Sequence, residues 1–136
     1  MARTQILLTT LTRNVMTDIP AGTAIDQANG MYIDLTSTSI PAGPGSENLT
    51  LEIRTTNGAD KTVTIKTGVG GSVNYGPAFR SGIGDLVLTA HAASGGGVVG
   101  GLESARFMQA TNNQIYIDFQ SGITGTITAF VGKGHQ

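Results

Sequence analysis

Six residues with the spacing of a dinucleotide-binding loop are the most conspicuous chemical pattern in the chain. Residues 95–100 read Gly-Gly-Gly-Val-Val-Gly, which fits Gly-x-Gly-x-x-Gly, and Asp118 follows about 20 residues later, where a ribose-binding acid would stand. Such glycines let backbone amides approach a pyrophosphate at the start of a helix. The stretch between Gly100 and Gln114 hardly supplies the helix that this chemistry needs. We therefore interpret 95–100 as a glycine-rich connection between strands and expect no cofactor.

Other catalytic or metal-binding patterns are also missing from the sequence. The histidines are His91 and His135, and neither has a second histidine nearby to complete a metal site. Cysteine is absent, which excludes thiolate ligands and disulfides. The acidic residues are scattered and no Gly-x-Ser-x-Gly motif occurs. We predict that the protein is not an enzyme and has no catalytic, cofactor-binding or metal site.

Two charged residues, Asp85 and Arg106, lie in apolar stretches of a chain that has few charges. Only 12% of the residues are charged, whereas a soluble domain usually carries roughly 25%. A charge that leaves water needs a partner of opposite sign. We therefore expect Asp85 and Arg106 to form a structural ion pair between neighbouring strands.

The elements that position these residues are predicted to be strands. Residues 48–54 alternate strictly, so that Leu49, Leu51 and Ile53 share one apolar face. Residues 61–66 repeat the pattern. Because Asn57-Gly58 lies between the two runs and is prone to turns, we predict a hairpin here.

Further strands are predicted by alternation and by β-branched residues. They fall at residues 6–10, 31–35, 86–92, 114–119 and 125–131, with Gly-, Pro- and Ser-rich segments between them at 40–46, 68–72 and 94–101. Segment 102–110 contains good helix formers, but a nine-residue helix would be marginal, so a strand is favoured.

These features predict an all-β protein, a single-domain antiparallel β-sandwich of the jelly-roll-like or immunoglobulin-like kind. A chain of 136 residues has the size of one domain. Residues 1–28 are expected to supply an N-terminal strand and a segment able to act as an arm, and residues 29–136 the sandwich body. Within the first part, residues 9–27 would order on a partner or form an ordinary long loop.

Charge and hydropathy exclude several classes of partner. The net charge is −1 and the basic residues are scattered singly, whereas nucleic-acid binders concentrate positive charge. The apolar run near the N-terminus is too short for a signal peptide, and no stretch has the length of a membrane span. We expect no direct nucleic-acid or membrane partner, and synthesis in the cytoplasm without export by the usual route.

The second half of the chain resembles a known family. The order of the segments at 76–86, 102–109, 115–119 and 122–130 is similar to that of small virion proteins of tailed bacteriophages, of the head-decoration (auxiliary capsid) kind. The resemblance covers about residues 76–131, and the first half agrees in general style. The family often has Asp-Gly in the turn before Ile115, where this chain has Thr111-Asn112-Asn113, which is still able to form a turn.

The resemblance implies a structural virion protein that binds the outer surface of the expanded head and stabilises it. The partner implied is the major capsid protein, together with self-association, a trimer being favoured. Localisation would be the capsid exterior of the virion, after synthesis in the host bacterial cytoplasm. Two alternatives stay open at this point: a phage tail or fibre component, and a carbohydrate-binding adhesion module.

Overall fold

The computed structural model describes residues 2–12, 14–35, 49–67, 85–102, 107 and 114–132, and in them the protein is all-β. The strands are β1 (Thr4–Gln5), β2 (Leu8–Leu11), β3 (Thr23–Ala24), β4 (Met31–Asp34), β5 (Leu49–Thr55), β6 (Lys61–Ile65), β7 (Leu86–Ala90), β8 (Gly96–Gly100), β9 (Gln114–Phe119) and β10 (Gly125–Gly132). A short 3-10 helix, Ala92–Ser94, lies between β7 and β8. The predicted all-β sandwich is confirmed.

The strands form two sheets that pack together. The first sheet has the order β1-β4-β9-β6-β7, and the second has the order β2-β10-β5-β8, with β3 also paired to β10. The β1–β4 and β2–β10 pairs are parallel, and the other pairs are antiparallel. The sheets are therefore mixed, which corrects the wholly antiparallel arrangement that we predicted.

One hydrophobic core fills the space between the sheets. The alternating residues of β5, β9 and β10 supply nine of its nineteen described buried hydrophobic residues, because every second side chain of a strand points to the same face. Leu51, Ile117 and Ile127 are fully buried. The alternation that predicted these strands was therefore the signature of a face packed against a second sheet.

The predicted hairpin between residues 48–54 and 61–66 is wrong, although both strands exist. β5 pairs with β10 and β8 in the second sheet, whereas β6 pairs with β9 and β7 in the first. The connection at residues 56–60 thus carries the chain from one sheet to the other. Asn57 secures it, since its side chain accepts a hydrogen bond from the Thr124 amide at 3.1 Å and donates one to the Ala59 carbonyl.

Two further predictions are corrected by the structure. Residues 96–100 form strand β8 instead of a loop, because glycine allows its backbone to lie directly against β5. In the ambiguous segment 102–110, Phe107 is the only residue described between 103 and 113, and its backbone is helical. The predicted strand is therefore wrong at this residue, whose side chain is buried in the core.

Candidate functional site

Asp85 lies at the start of β7 and has its charge compensated by a neighbouring strand. Its carboxylate is 2.6 Å from Nζ of Lys66 and accepts a hydrogen bond from the Thr67 amide at 2.7 Å. Burial acts to raise the pKa of Asp85, but the hydrogen bonds from Lys66 and Thr67 outweigh it and hold the pKa below its ordinary value. The predicted partner, Arg106, lies outside the described residues, so that pair stays a prediction.

His91 lies at the surface at the other end of β7 and is hydrogen-bonded to Asp60. Its Nδ1 is 3.1 Å from Oδ2 of Asp60, whose other oxygen accepts a hydrogen bond from the Ala92 amide at 2.9 Å. The Ala92 amide is the main reason why the pKa of Asp60 is lowered, with the His91 hydrogen bond second. The two hydrogen bonds of Asp60 join the connection between β5 and β6 to the turn between β7 and β8. No group of three metal-ligating side chains occurs in the described part of the chain.

The glycine-rich pattern at 95–100 packs against protein backbone. Gly96 has a φ of 117°, and a Cβ built on it would lie 1.8 Å from the Ile53 carbonyl oxygen. These glycines therefore allow a close approach to the backbone of β5. In a dinucleotide-binding fold, the same kind of glycines would allow a close approach to a pyrophosphate.

One lateral side of the sandwich is closed by the N-terminal segment. β1 is the edge strand of the first sheet and β2 that of the second, so the chain crosses from sheet to sheet between them. Ile6, at the crossing, is 1% exposed. Arg3 supports the crossing from the first sheet, since its guanidinium is 2.6 Å from the Asp118 carboxylate and 4.5 Å from the centre of the Tyr116 ring.

An exposed apolar surface follows on the same segment. It consists of Leu7, Leu11, Val15, Met16 and Ile19, and we call it the N-terminal apolar surface. Met16 is 95% exposed and Ile19 is 83% exposed. From Met16 to Ala21 the backbone makes no hydrogen bond with any other described residue. Several exposed apolar side chains within one short segment make that segment a candidate interaction site.

The opposite lateral side is not closed by any of the described residues. Here β7 and β8 are the edge strands, and a cavity of about 170 Å³ lies between them. Its lining includes Ile53, Val63, Leu88 and Val99. Neither edge strand contains a charged residue or a proline, although natural edge strands usually carry such groups to prevent pairing with other chains. We call this region the β7–β8 edge.

Val87 on β7 and Val98 on β8 are 60% and 68% exposed at this edge. Together with the N-terminal apolar surface they account for all the large apolar side chains that are exposed within the described ranges. Sequence reasoning did not single out these residues, because alternation cannot say which strand lies at an edge.

Comparisons with family models, with curated proteins and with solved structures find no match to this chain. Nor does the described part of the chain contain a helix with the length and apolar character to span a membrane. The exposed apolar side chains and the cavities make the two lateral sides of the sandwich the candidate functional sites.

Proposed function

We propose that this protein is a capsid decoration protein, a structural virion protein that binds the outer surface of the expanded head of a tailed phage. The observation that carries the proposal is that, among the described residues, the exposed large apolar side chains all lie on the two lateral sides of a sparsely charged β-sandwich. A protein that functions by covering another protein needs such surfaces. The resemblance of residues 76–131 to head-decoration proteins supports the same function.

Leu7 and Leu11, at the start of the N-terminal apolar surface, are the part proposed to contact the major capsid protein. Leu7 is 69% exposed, and a cavity of about 310 Å³ lies beside it, lined also by Pro20, Gly22 and Ile127. None of the residues that line this cavity is charged, and the charged residues of the sequence from Leu7 to Ile19 are Arg13 and Asp18. Covering this region would therefore remove little charge from water, and the apolar area would supply the favourable free energy.

Stabilisation of the head would follow from mass action. A protein that binds the assembled shell and not its separated subunits shifts the equilibrium toward the shell. Many copies multiply contacts that are individually modest. Stabilisation of this kind requires binding only and no catalytic group.

The test is binding of purified protein to expanded capsids prepared without it. We expect the wild type to bind in a simple ratio to the capsid protein, and Leu7→Asp to lower the affinity at least about tenfold. Gly58→Asp is the matched control, because it adds the same charge at an exposed position with no atom near the new Cβ. Bound copies are counted by quantitative mass spectrometry. Wild-type protein that does not bind, or equal binding of Leu7→Asp and wild type, would overturn the proposal.

A further inference from the structure

Strand β8 has a second edge that is unpaired within the described chain. It pairs with β5 on one side, and no described strand lies on the other, where the Gly96 amide donates a hydrogen bond to the His91 carbonyl at 3.2 Å. An edge strand presents alternating amide and carbonyl groups, which form a template for one more strand. Residues 96–100 have no side chain larger than valine, so access to this edge is not blocked by their own side chains.

The stretch Val15–Asp18 has the properties of a strand that lacks a partner. Asn14, with a φ of 61°, forms a turn immediately before it, and Pro20 follows shortly after it. These two residues set the limits of any extended pairing, because proline cannot donate to a ladder. Within the described chain Met16, Thr17 and Asp18 make no backbone hydrogen bond, and valine and threonine favour strands.

We propose that Val15–Asp18 of one copy adds to β8 of a second copy as an antiparallel strand, with Met16 opposite Val98. Val98 is opposite Glu52 on the outer face of the second sheet, and Val99 is opposite the buried Leu51. Residues paired across two strands share a face. The register therefore places Met16 outside, against Val98, and Val15 inside, against Val99.

The inner contact matches the cavity at the β7–β8 edge. Val15 would enter the opening lined by Val99, Ile53 and Leu88, whose volume is about 170 Å³. An apolar cavity of about 150 Å³ accepts a molecule the size of benzene, so an isopropyl group fits. Val15 is 59% exposed in the single chain, and its burial would be favourable.

On the outer face, the same register brings two side chains of opposite charge near each other, Asp18 of one copy and Arg54 of the other. In the same register Asp18 is opposite Gly96, which is itself opposite Arg54 in β5. Gly96 has no side chain between the two, and the Arg54 side chain is 64% exposed, with Glu52 at 3.0 Å as its partner. Asp18, the charged residue of the described segment 14–22, thus approaches a cation. One register satisfies the apolar and the ionic contact together.

The contact is head to tail. β2, which leads into the segment, and β8 are at opposite ends of the second sheet. Each copy would therefore offer its segment on one side and its β8 on the other. Such heterologous contacts close into rings or continue as open chains. This inference concerns copies of the chain alone and does not depend on capsid binding.

The absence of cysteine from the sequence allows a direct test by disulfide cross-linking. Met16→Cys and Val98→Cys proteins are prepared separately, each checked for folding by circular dichroism, and oxidised alone or mixed. Directly opposed residues in an antiparallel pair have Cα atoms about 4.5–5.5 Å apart, within the range for a disulfide. We expect dimers in the mixture, and at least about tenfold fewer in either protein alone. A Gly58→Cys protein mixed with Met16→Cys is the control for random collision.

Several results would overturn the inference. These are a mixture that gives no more dimer than the Gly58→Cys control, or Met16→Cys that cross-links to itself as well as to Val98→Cys. Wild-type protein that stays monomeric at millimolar concentration would also count against it. Capsid binding that persists while cross-linking fails would reject the contact between copies and leave the proposed function intact.

The ionic contact offers a second, independent measurement. Asp18→Lys in the Met16→Cys protein should lower the yield of mixed dimer, and Arg54→Glu in the Val98→Cys protein should restore it. Restoration in trans is expected only if the two side chains face each other across copies. Equal yields in all combinations would reject the register.

Discussion

The two lateral sides of the sandwich solve the same structural problem differently. At the N-terminal side, the chain crosses from the first sheet to the second, and Ile6 fills the gap between them. At the β7–β8 side, the chain also crosses between the sheets, through residues 91–95, but none of these residues is buried and a cavity remains between the strands. The first side is closed by the chain's own residues, and the second has the shape to accept residues from elsewhere.

This difference predicts that substitutions at the N-terminal side change stability and that substitutions at the β7–β8 edge change association. Side chains that close the N-terminal side are either buried, as Ile6 is, or hydrogen-bonded, as Arg3 is, so their loss should destabilise the fold. Side chains at the β7–β8 edge are exposed, so their loss should leave the fold intact and alter binding. Substitutions at the two sides can test this division directly.

The largest effect is expected from Ile6→Ala. Ile6 is 1% exposed, and its amide donates a hydrogen bond to the Tyr32 carbonyl at 2.8 Å. Removing the side chain leaves a cavity at the crossing and should lower the free energy of unfolding by about 2–5 kcal/mol. The matched change at the open side, Val87→Ala, should cost no more than about 0.5 kcal/mol. Urea unfolding measures both, and equal losses would refute the contrast.

A smaller effect is expected from Arg3→Ala. The guanidinium donates to the Asp118 carboxylate at 2.6 Å and to the Ile117 carbonyl at 3.3 Å, and it lies over Tyr116. The side chain is partly exposed, so we expect a loss of about 1–2 kcal/mol.

A double-mutant cycle with Asp118→Asn separates the ion pair from the other contacts of Arg3. We expect the coupling to be about 0.2–1 kcal/mol, the value for a pair near the surface. A coupling as large as the whole effect of Arg3→Ala would show that the carbonyl and the aromatic ring contribute nothing.

The smallest expected effect is the dependence of fold stability on pH that arises from Asp26. This residue supports the N-terminal side. Its pKa is lowered mainly by the hydrogen bond from the Thr4 hydroxyl, at 2.6 Å, and next by Asn29. A carboxylate with a lowered folded pKa stabilises the fold fully above its unfolded value, near 3.8. That contribution disappears as the pH falls through the folded value.

We therefore expect the Tm difference between wild type and Asp26→Asn to be constant near neutral pH and to shrink in acid. Thermal melts between about pH 2 and pH 6 measure it. Asp60→Asn, at the β7–β8 edge, is the companion variant, since the pKa of Asp60 is also lowered. A Tm difference that grows in acid would contradict the assignment.

The sequence predicted strands well where one face is buried. β5, β9 and β10 follow from alternation, because a buried face imposes a period of two on the residue types. It did not predict β8, because glycine carries no side chain to show the period. The sheet to which β5 and β6 belong also escaped prediction, since pairing depends on partners far away in the chain.

The candidate site was harder to predict for the same reason. Exposure of Met16 and Val98 depends on which strands end at an edge, and composition contains no such information. The sequence pointed to Arg106 as the partner of Asp85; Arg106 lies outside the described residues, and Lys66, directly after β6, contacts Asp85 in the described structure. Proximity of that kind follows only from register.

Strand β10 imposes an order on the synthesis of this protein. It pairs with β2, β3 and β5, which lie far before it in the chain. On a ribosome these three segments emerge first, and the second sheet has no centre until residues 125–132 follow. Contacts so distant in sequence make folding slow. A chain still being translated would therefore expose the apolar faces of these earlier strands until residues 125–132 emerge.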